Sequence, residues 1–110
     1  MKIKNIDVPL EKIKAFCTDW QVIEFALFGS VLRDDFRPDS DIDVMVKFDV
    51  NAHPSFLDLE EMEMDLKTIF NREVDLITRQ GIENSLNYLR RQEILSSAQI
   101  LYEKRHTISA

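Results

Sequence analysis

Apolar Leu10, Ile13, Phe16, Cys17 and Trp20 recur every three or four residues, the spacing that aligns side chains along one stripe of an α-helix. Pro9 stands where a helix tolerates proline, in its first turn, so the pattern predicts a helix from Pro9 to about Trp20. Val22 to Phe28 is a short, mostly apolar run rich in strand formers and stopped by Gly29, which predicts a buried strand. From Asp41 to Phe48 the pattern alternates. Ile42, Val44, Val46 and Phe48 fall on one face and Asp41, Asp43, Met45 and Lys47 on the other, a second strand with an acidic corner. Ser55 is a candidate N-cap for a helix to about Phe70, whose Leu59, Met62, Leu66 and Ile69 share a stripe. Glu73 to Thr78 alternates as a third strand, Gly81 precedes a helix predicted from Ile82 to about Ser96, and Gln99 to Tyr102 supplies a closing strand. The order α-β-β-α-β-α-β predicts an α/β (α+β) two-layer domain, a small mixed β-sheet flanked by helices.

At 110 residues, with 45% hydrophobic and 31% charged residues, the chain is expected to be a single domain over 1–110 with a disordered polar tail after Lys104. A formal net charge of −6 opposes the basic footprint that a phosphate backbone demands, so direct nucleic-acid binding is not expected. Asp58, Glu60, Glu61, Glu63 and Asp65 concentrate the acid on one predicted helix, which reads either as a solvated face or as a docking surface for a basic partner. The chain opens without a long apolar leader and contains no run near the eighteen or so residues of a membrane span, so a cytoplasmic protein without membrane attachment is expected. Cys17 reads as core filling, Tyr88 and Tyr102 as packing residues, and His53 and His106 are too far apart in the chain to indicate a zinc site.

Chemistry enters with three carboxylates. Asp41 and Asp43, two apart on a strand, project from the same face, close enough to share metal ions. If the third strand lies beside the second with its acidic face aligned, Asp75 joins them. Such a cluster repels itself unless protons or cations neutralise it, and carboxylate oxygens together with nucleotide phosphates are ligands that Mg²⁺ favours. Gly29-Ser30, at the end of the first strand, offers close backbone approach, a hydroxyl and amide N–H groups suited to a phosphate. Arg33 and Arg37 follow as candidate phosphate partners, or as partners for Asp34, Asp35 or Asp39.

Gly29-Ser30, ten intervening residues, then Asp41-Ile42-Asp43 resembles the signature of the DNA polymerase β-like nucleotidyltransferases. More narrowly, the run from Phe25 to Phe48, with Arg72-Glu73-Val74-Asp75-Leu76-Ile77-Thr78 and Leu89-Arg90-Arg91-Gln92-Glu93-Ile94-Leu95, is similar to the minimal nucleotidyltransferases, the MntA-type antitoxins paired with HEPN-domain toxins. The resemblance implies the polymerase β-like nucleotidyltransferase fold. It implies that Gly29 and Ser30 hold the triphosphate, that Asp41 and Asp43 are metal ligands, and that Asp75 is the third carboxylate near the attacking hydroxyl. It further implies two Mg²⁺ ions, ATP as substrate, and AMP transfer to a tyrosine of a HEPN ribonuclease toxin, the antitoxin role in a type VII toxin–antitoxin pair.

The chain has no room for a separate substrate domain, which points to an acceptor on another protein. Two alternatives stand beside this reading: an antitoxin that neutralises its toxin by covering it without catalysis, and a transferase of a small molecule such as an aminoglycoside, with a homodimer or hetero-oligomer completing the pocket.

Overall fold

The computed structural model describes residues 2–104. The chain begins with a hairpin, β1 (Lys2–Ile3) and β2 (Ile6–Asp7), followed by α1 (Leu10–Trp20) and β3 (Val22–Phe28). A 3-10 turn, Gly29–Leu32, leads through a loop to β4 (Ile42–Phe48), then α2 (Phe56–Phe70), β5 (Val74–Thr78), α3 (Arg79–Glu83), α4 (Tyr88–Ser97) and β6 (Gln99–Glu103). The main sheet has the order β5-β4-β3-β6. β4 and β5 run parallel while β3 is antiparallel to both β4 and β6, so the sheet is mixed.

Alternation along the central strands sorts side chains to two sides. Phe25 and Leu27 of β3, with Ile42, Val44 and Val46 of β4, join Ile13, Phe16, Met62 and Leu66 from α1 and α2 in the main core. Phe16 meets Phe25 edge-to-face, ring centroids 6.0 Å apart. Ala26, Phe28 and Met45 turn the other way and form a smaller cluster with Ile82 of α3 and Ile94 of α4. Met45, grouped by alternation with the acidic face, is therefore buried. Helix α2 starts as its sequence predicts: the Ser55 hydroxyl accepts from the Asp58 N–H and the Asp58 carboxylate accepts from the Ser55 N–H, a reciprocal cap.

Two features differ from the sequence expectations. The hairpin at residues 2–7 was not predicted, because two-residue strands carry too little periodicity to register. The single helix expected from Ile82 to Ser96 is two helices. Thr78 caps the first by accepting from the Gly81 N–H at 3.0 Å, which starts the helix before Gly81 rather than after it. Asn87 caps the second by accepting from the Arg90 N–H at 3.1 Å. Asn84, Ser85 and Asn87 lie in or beside the break, and short polar side chains of this kind compete with helical hydrogen bonds. The tail after Lys104 and His106 lie outside the described residues. Among those described, no helix is long and apolar enough to cross a membrane.

Candidate active site

The site forms where β3 ends and β4 and β5 begin. Antiparallel register sets Phe28 opposite Asp43, and parallel register sets Asp43 opposite Asp75. Asp43 is half-buried, whereas Asp75 and Asp41, the latter just before β4, are exposed. Burial pushes the Asp43 carboxyl above its ordinary value, the negative charges of Asp75 and Asp41 push it further, and the Arg33 guanidinium and a hydrogen bond from the Ser30 N–H partly offset them. The three carboxylates are thus electrostatically coupled. Among the described residues, no group of three or more His, Cys, Asp or Glu side chains is placed so that together they could hold a metal ion.

Gly29 is required by two independent constraints. Its φ of +75° lies in the left-handed region, and a Cβ there would overlap the Asp43 carboxylate. Removing the side chain is what lets the 3-10 turn close against Asp43. The turn begins at Gly29, one residue before the serine expected to open it; Ser30 is its second residue, and its backbone amide serves Asp43. Arg33 is exposed and pairs with Asp35 at 3.3 Å while also acting on Asp43. Arg37 is exposed as well, and its backbone carbonyl accepts from Arg72.

Two residues that build the site carry no chemistry of their own and escaped the sequence reading of roles. Asn5, in the hairpin turn, donates to the carbonyls of Val31 and Arg33, each at 2.7 Å, and so ties the hairpin to the end of the 3-10 turn. Lys4 adds an ion pair to Asp34 at 3.0 Å. Arg72 donates to the carbonyls of Arg37 at 2.6 Å and Ser40 at 2.9 Å, and its guanidinium lies over the Phe36 ring, 4.3 Å from the centroid. The loop leading to Asp41 is therefore held from β5's side of the sheet. Cys17 is buried in the main core, where desolvation pushes its thiol up to about 12, consistent with packing rather than reactivity.

A small mixed sheet with paired acids at the start of one strand, a third acid in register on the next and a glycine turn against them defines a nucleotidyltransferase domain. Residues 10–101 match the nucleotidyltransferase domain family, and the chain belongs to that family. It is 43% identical over 84 residues to a Methanocaldococcus jannaschii protein provisionally named protein adenylyltransferase MJ1379, covering 76% of this chain and 81% of the relative. Among solved structures it resembles a toxin–antitoxin assembly crystallised with AMP-PNP, with a TM-score of 0.67 at 20% identity over 89% of this chain and 76% of that one. It also resembles a chain in the complex of tri-AMPylated Shewanella oneidensis HEPN toxin with its MNT antitoxin, with a TM-score of 0.59 at 21% identity, covering 86% of this chain and 70% of that chain. At these identities the structural likenesses establish the fold.

Proposed function

We propose that this nucleotidyltransferase moves AMP from ATP to a tyrosine hydroxyl of a HEPN-domain toxin and thereby acts as its antitoxin. The observation that carries the reading is the register of Asp43 with Asp75 beside the Gly29 turn. The relative named a protein adenylyltransferase and the AMPylated HEPN toxin complex supply the reaction and the partner class.

The donor set fits Mg²⁺. The carboxylates are all oxygen ligands, and a divalent cation held by them would relieve their mutual repulsion at Asp43. Mg²⁺ commonly takes one or two protein carboxylates and completes its shell with water and substrate phosphates. Asp41, Asp43 and Asp75 would hold two such ions, which when bound polarise the phosphates and the attacking oxygen.

In this reading Gly29 and Ser30 receive the triphosphate, with Arg33 and Arg37 countering its charge. The acceptor oxygen forms a bond to the α-phosphorus, the bond from that phosphorus to the α,β-bridging oxygen breaks, and pyrophosphate leaves. Asp75 takes the acceptor proton, a role that its exposure supports because an incoming hydroxyl must reach it. Incubation with α-labelled ATP and Mg²⁺, with and without the HEPN protein, tests the proposal against an Asp41→Asn, Asp43→Asn variant. Label on the partner that disappears in the variant is expected. Tight complex formation by both proteins without label on the partner would replace catalysis with neutralisation by binding.

A further inference from the structure

β5 is an edge strand that pairs with β4 alone, and no other described segment extends the sheet on its far side. The Ile42 N–H donates to the Glu73 carbonyl at 2.9 Å. Backbone groups alternate sides along a paired strand, so Glu73, Asp75 and Ile77 turn their N–H and C=O groups to β4, while Val74 and Leu76 turn theirs to the open edge. An edge of this kind accepts an added strand unless something blocks it.

A groove of about 420 Å³ runs beside that edge between β5 and α2, lined by Phe56, Leu59, Glu60, Glu63, Met64 and Leu76. Phe56 and Met64 are 74% and 66% exposed, so the groove wall carries large apolar side chains open to solvent. Lys67, also on the groove wall, is occupied by Glu73 at 3.1 Å and Glu63 at 3.8 Å, which leaves Glu60 as the groove's charge without such a cationic neighbour among the described residues. The groove is thus apolar with an acidic rim. Leu76 faces it, packing toward the main core, whereas Asp75, one residue earlier on the same strand, projects from the opposite face with Asp43.

We infer that the protein carrying the acceptor hydroxyl docks an extended segment as an additional strand on β5. Backbone bonds to Val74 and Leu76 supply its register. Its side chains alternate: the hydroxyl residue turns to Asp75, and its two sequence neighbours, apolar or basic, turn into the groove between Phe56, Glu60 and Met64. This rests on the proposed protein acceptor and adds to it a geometry, a strand whose period of two couples recognition on one face to reaction on the other.

The test uses the full chain and the peptide Ac-Lys-Leu-Tyr-Leu-Lys-amide, beside a copy N-methylated at both leucines, followed by amide NMR and hydrogen exchange. The unmodified peptide is expected to shift the Val74 and Leu76 amides and slow their exchange at least about tenfold at saturation; the N-methylated copy should do neither. A Phe56→Ser, Met64→Ser, Glu60→Lys variant, altered at exposed positions only, should lose the peptide response and label the HEPN partner at least about tenfold more slowly than the parent. Unchanged Val74 and Leu76 amides with both the peptide and the partner would overturn the inference, as would full labelling by the variant. Edge protection by the peptide without any label transfer to the partner would instead sustain the docking site and count against the proposed reaction.

Discussion

The two faces of the central sheet are built from the same strands but to opposite ends. On the side of α1 and α2, Phe25, Leu27, Val44 and Val46 are fully buried in the main core with Ile13, Phe16, Met62 and Leu66. On the side of α3 and α4, Ala26, Phe28 and Met45 are buried with Ile77 partly so, and the same strand that carries Met45 carries Asp43 two residues earlier. One face optimises contact. The other stops packing short of the strand ends and leaves a half-buried carboxylate beside two like charges, which with its burial raise its affinity for a proton. Stability and chemistry are therefore separable by which way a side chain points from β4.

Substitutions on each face should break the comparison in opposite directions. Asp43→Asn should lower transfer by on the order of a thousandfold while leaving the thermal midpoint of the metal-free protein unchanged or raised; measured together, loss of both would show that Asp43 is structural. Leu66→Ala, in the packed core, should cost about 2–5 kcal/mol of stability in denaturant titrations, with label transfer per folded molecule nearly intact at low temperature. Gly29→Ala sits between the two. Its positive φ should cost about 1–2 kcal/mol, and displacement of Asp43 should reduce transfer at least about tenfold at saturating ATP.

The smallest effect is on pH dependence without Mg²⁺. Asp43 has its folded-state carboxyl raised above 3.8, so the folded protein binds that proton more readily than the unfolded chain. The associated stability is present below the ordinary carboxylate range and is lost as pH rises through the raised value. Denaturation midpoints measured upward from pH 3.8 should show this falling contribution in the parent and not in Asp43→Asn.

Most of the fold was legible because long, strongly periodic segments announce themselves. The stripes of α1 and α2, the Ser55 cap and the alternation in β4 all led to elements within about a residue of those observed. Asp41 and Asp43 stand out by alternation along β4 and, with Gly29 and Ser30, by resemblance to the nucleotidyltransferase signature, and the structure brings them to one end of the sheet with Asp75. What stayed hidden is whatever depends on a partner distant in sequence. Asn5 reaches carbonyls 26 and 28 residues away, and Arg72 reaches loop carbonyls 35 and 32 residues away. Neither residue type nor local pattern distinguishes such side chains from solvated ones. The break between α3 and α4 was hidden differently: Asn87 is an ordinary polar residue until it is seen capping Arg90.

Arg72 lies one residue beyond Asn71, the left-handed residue that terminates α2. Its Nε is buried without a partner, so the guanidinium holds the loop carbonyls at some cost in desolvation. Helix ends are the parts of a fold that open first. Fraying of the last turn of α2 would release residues 37–40 and with them the approach to Asp41, and would loosen Ile69 and Phe70 at the margin of the main core. Transfer is then expected to fail with this local event, at a temperature below that at which the sheet comes apart.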